Sequence, residues 1–180
     1  SFSFGKDFHE WGYAESGLLV LSQKPPSYGF IRLDIKPVDW LRFNYMHGWL
    51  SSGIPDSNSF FYNSAGTISF SFVDKFIATH SIIITPISGL DFSIGESIIY
   101  DEALEFLYLM PIMFFRLADH QLSEQVNAAG GNAQIFFGIS SKGQIKNTHL
   151  YGTLFIDELT ISGLFDSYKQ RNQLGFTLGG

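Results

Sequence analysis

Hydrophobic and polar residues alternate along most of this chain. In Phe30–Lys36, Ile31, Leu33 and Ile35 fall on one face and Arg32, Asp34 and Lys36 on the other. Trp40–Trp49 repeats the pattern, with Leu41, Phe43 and Tyr45 opposite Arg42, Asn44 and Met46. A period of two is the mark of a strand with two unlike faces, and Pro37-Val38-Asp39 is short enough to turn these two strands into a hairpin. Thr67–Val73 sets Ile68, Phe70 and Phe72 against Thr67, Ser69 and Ser71. Asp74-Lys75 then reads as a turn into Phe76–Thr85, where the run Ile82-Ile83-Ile84 blurs the alternation. Pro86 to Gly89 predicts another turn, after which Leu90, Phe92 and Ile94 oppose Asp91, Ser93 and Gly95. Gln134–Ser140 and His149–Asp157 predict a second hairpin through Lys142-Gly143, and Leu174, Phe176 and Leu178 mark a last strand. The pattern amounts to roughly eight or nine strands at the spacing of an all-β protein.

Three longer segments interrupt the strands: residues 5–16, 50–66 and 101–133. Glu102–Leu109 suits a short helix ending before Pro111, since the residue preceding a proline is biased away from helix. The polar stretch 119–132, with Gly130-Gly131, reads as a surface loop. An up-and-down barrel keeps long loops on one rim and short turns on the other, and these boundaries do not sort that way. No repeat or linker divides the chain, so residues 1–180 read as one segment of one domain. The chain starts at Ser1 without methionine or leader and stops at Gly179-Gly180 beside a strand, which suggests truncation at both ends.

Composition narrows the class. Nineteen Phe, eight Tyr and three Trp make up 17% of the chain, beside eighteen Gly. Such residues suit pleated sheets and their turns. A net charge of −6 argues against nucleic acid, which needs clustered cations. There is no Cys, hence no disulfide framework and no thiolate chemistry. The longest apolar run, near Leu104 to Leu117, is broken by Pro111 and falls short of the ~20 residues a spanning helix needs.

Alternation alone fits two architectures. A soluble sandwich buries its apolar faces, whereas an outer-membrane barrel turns them to lipid and lines its lumen with the polar ones. Large Phe, Ile and Leu on one face, with small Ser, Thr and Gly on many opposite faces, lean toward the barrel. Aromatics recur near strand ends, at Tyr28, Trp40, Trp49, Phe60, Phe61, Tyr62, Tyr100 and Tyr151, as in an interfacial girdle. A one-residue slip would carry Arg32 to the lipid face at ~2–4 kcal/mol near the midplane. The expected fold is all-β: an antiparallel transmembrane β-barrel, here an arc of a larger one.

The stretch Gly5–Ser22, GKDFHEWGYAESGLLVLS, resembles the Gly-Arg-Asp…Trp-Gly…Leu-Leu-Leu-Ser signature of Wzi-type capsule assembly proteins, especially Bacteroidetes-like members. Gly95–Tyr100 is similar to that family's Gly-Glu…Tyr strand end, and Tyr108–Phe115 to its Tyr-x-x-Pro-x-x-Phe stretch. Asp119 begins what is usually an Asp-Asn motif. Tyr151–Glu158 and Asn172–Gly179 resemble its last two strands in the same order. Lys6 stands where Arg is usual, His120 where Asn is usual and Glu158 where a second Asp is common. The resemblance implies an outer-membrane barrel on a longer chain in a Gram-negative bacterium, associated with capsule assembly or surface polysaccharide attachment; no cofactor is expected.

Lys6, Asp7, Glu10 and Trp11 crowd a Gly-bounded segment. They could form a saccharide platform, with the indole stacking on a sugar and the charged groups binding hydroxyls. The plainer reading, which carries more weight, is a structural network with Lys6 and Asp7 paired in the lumen and Trp11 at the membrane interface. Glu96 is in phase with Leu90, Phe92 and Ile94, so the strand must bulge or leave the membrane there, or Glu96 must be paired in the lumen, with Lys6 or Arg42 as the expected partner. Tyr100, Asp119, His120 and Asp157 complete the candidate ligand-binding set. Asp157-Glu158 and Asp101-Glu102 are adjacent pairs whose members point to opposite faces, so neither forms a glycosidase dyad. The five His residues lack ligand spacing, and no nucleophile elbow or P-loop occurs. The expected function is non-enzymatic polysaccharide binding by an outer-membrane barrel. The alternatives are an accessory barrel of a gliding or secretion machine, a membrane-embedded hydrolase needing a Ser/His/acid set near one rim, and a soluble lectin-like sandwich.

Overall fold

The computed structural model describes residues 1–101, 103–118, 131–158 and 173–180. Ten strands follow in order: β1 (Phe2–Asp7), β2 (Tyr28–Val38), β3 (Leu41–Pro55), β4 (Phe61–Tyr62), β5 (Ile68–Ser69), β6 (Phe72–Ile87), β7 (Leu90–Asp101), β8 (Asn132–Lys142), β9 (His149–Glu158) and β10 (Gln173–Gly179). Eight of them form one antiparallel sheet in the order β1-β2-β3-β6-β7-β8-β9-β10, while β4 and β5 make a separate ribbon. Neighbours in the sheet are neighbours in sequence, apart from the ribbon inserted between β3 and β6. The sheet does not close on itself, and β1 and β10 are its edges.

The strands run longer than their alternation suggests. Asp74-Lys75 is no turn: Lys75 pairs with Leu50 and Asp101, and β6 continues through it. Thr67–Val73 is not one strand, because Ile68–Ser69 belongs to the ribbon and Phe72 already begins β6. β3 extends to Pro55 and β1 to Asp7, which moves the start of two of the expected loops later in the chain. The expected helix at Glu102–Leu109 is a single 3₁₀ turn, Phe106–Leu109, followed by a helical turn over 115–118.

With these bounds the connections sort by rim. The β2–β3, β6–β7 and β8–β9 links are Asp39-Trp40, Ser88-Gly89 and residues 143–148, all at one end. The β1–β2, β3–β6, β7–β8 and β9–β10 connections leave from the strand ends at the other side and are longer, with 20, 16, 30 and 14 residues between the strands.

Directly paired residues share a face, so the register assigns every side chain. One face carries the row Ile35, Phe43, Ile82, Ile94, Phe137 and Leu154, with Leu41, Ile84, Phe92 and Ile139 in the row toward the short turns. The other face carries Asp34, Asn44, Ser81 and Gly95 in one row and Arg42, Ile83, Ser93, Gly138 and Thr153 in the next. The sheet thus has an apolar face and a polar face. The half of the apolar face nearer the short turns is open, and an exposed groove of about 540 Å³ runs between Ile82, Phe92, Phe137, Leu154 and Phe176.

Toward the long-loop rim both faces are covered. Tyr45–Gly48, Phe76–Thr79 and Gly95–Ile98 are each buried at four consecutive positions, which a strand achieves only when something lies on either side of it. On the polar face the cover is residues 9–21, a strap closed by an antiparallel bridge between Trp11 and Leu21. Trp11 packs there with Tyr28, Met46, Ile77 and Phe136. On the apolar face the cover is residues 103–118, a flap whose Tyr108, Phe115 and Ala118 pack on Tyr45, Phe76, Ala78, Ile98 and Tyr100. Glycine makes the polar face shallow enough for large rings. A Cβ on Gly95 would sit 2.3 Å from both the Phe136 ring and the His80 carbonyl oxygen, and one on Gly48 2.6 Å from the Tyr28 ring.

Only part of the expected aromatic girdle faces outward. Tyr28 and Tyr151 belong to the polar face by register, and Tyr100 is buried under the flap. Trp49, on the apolar face within β3, and Trp40, in the short turn before it, are exposed, as are Phe60, Phe61 and Tyr62 at the inserted ribbon.

Candidate functional site

Charged and polar side chains converge on the polar face where β2, β3, β6 and β7 run side by side. The Arg32 Nε donates to both Asp34 carboxylate oxygens at 3.0 and 2.9 Å, and Asn44 donates to Asp34 from the next strand. Arg42 Nη2 lies 2.7 Å from Asp91 Oδ2, and the Thr85 hydroxyl donates to the other Asp91 oxygen. Alternation puts these groups on one face: Arg32 and Asp34 are same-face neighbours two apart on β2, whereas Arg42 on β3 reaches across β6 to Asp91 on β7. Both ion pairs are only partly buried, so each contributes modestly to stability.

The strap roofs this network. The Arg32 guanidinium carbon sits 5.5 Å from the Trp11 ring centroid, within cation–π range. His9 lies between Tyr28 and Phe30, with centroids at 5.2 and 4.3 Å. Burial, with Arg32 adding to it, lowers the His9 pKa, so the ring is neutral at neutral pH. Beneath the strap lies a cavity of about 150 Å³ lined by Glu10, Trp11, Tyr13, Arg32, Asn44 and Ser81, among others. Burial, with the Asp91 charge adding, pushes the Tyr13 hydroxyl up to about 12, so it stays protonated. The strap is tied further along by Thr153 Oγ1, which donates to the Tyr13 carbonyl at 3.2 Å, and by Thr177 Oγ1, which donates to the Gly17 carbonyl at 3.3 Å. Guanidinium, amide, hydroxyl and carboxylate around an indole edge are groups able to bind hydroxyl-rich ligands.

The candidate residues do not form one site. Glu10 and Trp11 line the cavity, but Trp11 is buried with Arg32 over its ring rather than presented as an open platform, and it does not lie at an outer edge as the structural reading expected. Lys6 and Asp7 lie on edge strand β1, both exposed, and form no ion pair with each other. Asp7 instead accepts the Phe8 N–H at 2.8 Å. Glu96 and Tyr100 lie across the sheet, under the flap, and Asp157 is on β9, its Oδ1 buried without a hydrogen-bond partner among the described residues. Asp119 and His120 fall outside the described residues.

The expected partners of Glu96 are wrong. Neither Lys6 nor Arg42 meets it, since Arg42 is committed to Asp91 on the opposite face. Nor does the strand bulge: His80↔Glu96 and Ile82↔Ile94 are consecutive pairs in unbroken register. Glu96 stays in phase with its apolar neighbours, and the flap comes to it. Its Oε2 accepts the Phe115 N–H at 2.8 Å, and the Arg116 N–H reaches the same carboxylate. These belong to the first turn of 115–118, whose amides have no intrahelical partner. His80 is 4.0 Å away, and its ring lies against that of Phe115, with centroids 4.5 Å apart and planes tilted by 50°. Nearby, the Tyr45 hydroxyl donates to the Tyr108 carbonyl at 2.8 Å, and His47 Nε2 is 2.7 Å from the Tyr100 hydroxyl.

The sequence also hid a Ser–His–acid alignment. Ser140 Oγ is 3.0 Å from His149 Nε2, and His149 Nδ1 is 3.8 Å from Glu15 Oε1. At 3.8 Å the exposed Glu15 does not hydrogen-bond the ring. Ser140 also lies in an interior strand paired on both sides, where backbone amides are engaged in the ladder and none is left to hold an oxyanion. No group of three or more His, Cys, Asp or Glu able to hold a metal occurs among the described residues. No protein-family model, curated protein or solved structure matches the chain.

Proposed function

We propose that this chain is an arc of an outer-membrane β-barrel whose polar face lines the lumen, and that the barrel takes part in assembling or attaching surface polysaccharide without catalysis. The observation that carries the barrel reading is the division of the sheet into an apolar and a polar face, with long connections at one rim and short turns at the other. That division is how such barrels separate an external rim from a periplasmic one. From Leu41 to Trp49, at ~3.3 Å per residue, β3 covers roughly 26 Å, or roughly 20 Å of membrane height at a ~40° tilt. Exposed Trp40 and Trp49 bracket that height. The polysaccharide assignment rests on the Wzi-type resemblance and on the polar groups gathered under Trp11.

Two measurements on the full-length protein test the proposal. Fractionation with the outer membrane and heat-modifiable gel migration are expected of the barrel; a soluble protein whose migration ignores heat would overturn it. Binding on a glycan array, lost in Arg32→Ala and Trp11→Ala variants that still show heat-modifiable migration, is expected of the polysaccharide role. Absence of any glycan binding by a correctly inserted barrel would move the function to an accessory, protein-binding barrel.

A further inference from the structure

The flap presents a second apolar surface, on the side turned away from the sheet. Phe106 and Ile112 are 79% and 80% exposed and Phe114 67%, with Met110 and Leu117 beside them. Between Ala103 and Ala118 the only charged residues are Glu105 and Arg116. A rim loop that met water would be polar, and contiguous exposed apolar patches mark an interaction surface.

We infer that residues 103–118 form an external flap lying in the membrane, its outward side chains in contact with lipid acyl chains, and that it seals off polar groups on the lipid-facing side of the sheet. The inference rests on the barrel reading above.

Two observations select lipid as the occupant. The first is continuity: Phe43 packs against the flap cluster and shares a row with exposed Ile82 and Ile94, so the flap's outer surface prolongs the apolar sheet face. The second is what lies beneath. Tyr45, His80 and Glu96 are directly paired in the next row of that face, and an ionisable side chain turned toward acyl chains is costly. With the flap in place, Phe115 and Tyr108 cover all three, and an apolar exterior replaces them.

The absence of Cys from these residues makes single nitroxide labels straightforward. Ile112→Cys and Phe114→Cys would be labelled in the full-length protein in phosphatidylcholine vesicles, with Ile94→Cys as the sheet control and Asp39→Cys as the aqueous control. Collisional access to oxygen and to a water-soluble nickel complex is then read at each site. The expected result is oxygen access at positions 112 and 114 severalfold above nickel access, matching position 94 and opposite to position 39. If position 94 reads lipid while 112 and 114 read water, the flap inference falls and the barrel stands. If 112 and 114 are closed to both reagents, a second copy or a protein partner covers the flap, and lipid is the wrong occupant. If position 94 itself reads water, the barrel reading fails and the flap inference with it.

Discussion

Replacing Glu96 by alanine removes the acceptor that holds the turn at 115–118 to strand β7. Two opposing terms set the size of the effect. The Phe115 N–H loses a charge-assisted hydrogen bond of 2.8 Å and is left buried without a partner, a change of about 1.5–3 kcal/mol. Relief of burying a carboxylate offsets part of that. A net loss of about 2 kcal/mol would raise the open population of the flap roughly 30-fold. Glutamine keeps one neutral acceptor in place, so Glu96→Gln is expected to lose about half as much, or roughly 5-fold. Hydrogen exchange of the amides in residues 103–118, measured on the full-length protein in detergent or nanodiscs, reads this directly. Exchange in residues 9–21, on the other face of the sheet, serves as the internal reference. The reasoning is refuted if Glu96→Ala leaves flap exchange unchanged, or if it accelerates strap and flap equally, which would mark a global effect rather than a lost latch.

Three further outcomes are expected. Gly95→Ala places a Cβ against the His80 carbonyl and the Phe136 ring, an overpacking cost of ~1–3 kcal/mol. The temperature of the gel-mobility transition should fall, whereas Gly5→Ala, whose nearest neighbour would be 3.6 Å away, should leave it near the wild-type value. His9 has a folded pKa below its ordinary 6.5, so above pH 6.5 it is neutral whether or not the strap is docked. As pH falls through 6.5 the undocked strap takes up a proton that the docked one resists, and docking weakens until docked His9 also protonates. Exchange of residues 9–21 should therefore rise between pH 7.5 and 5, and His9→Phe should flatten that response; an unchanged response in His9→Phe would assign it elsewhere. A double-mutant cycle on Arg42 and Asp91 is expected to give a coupling of about 1 kcal/mol or less, reduced by salt, because both partners keep contact with solvent.

The hairpin β2–β3, the pair β8–β9 and the faces of β2, β3 and β7 were legible because alternation is clear there, whereas the run Ile82-Ile83-Ile84 left β6 without assigned faces. Strand length was not. Asp74-Lys75 looks like a turn, but it lies near the long-loop rim, where charged residues stay solvated while the backbone ladder continues. More instructive are the residues that break the alternation. Met46, Ile77, Ile83 and Phe136 are apolar on the polar face, and they lie under the strap. His80 and Glu96 are polar on the apolar face, and they lie under the flap. Each violation marks a place where another segment docks, so the blurred run Ile82-Ile83-Ile84 and the out-of-place Glu96 carried tertiary information. The partners could not be named, because a strap and a flap folded against the sheet leave no periodicity of their own. Arg32 and Asn44 were assigned to a common face from the sequence, yet their convergence under Trp11 depends on where residues 9–21 come to rest.

That resting place also bears on the order of assembly. Strand pairing in this meander joins neighbours in sequence, which is the least demanding way to build a sheet in terms of chain closure. The strap is the exception. It leaves the chain between β1 and β2, yet its carbonyls at Tyr13 and Gly17 are held by Thr153 and Thr177, near the far end of the sequence. It can reach its final contacts only after β9 and β10 have formed. A segment that precedes β2 in the chain thus settles only after β9 and β10 are in place.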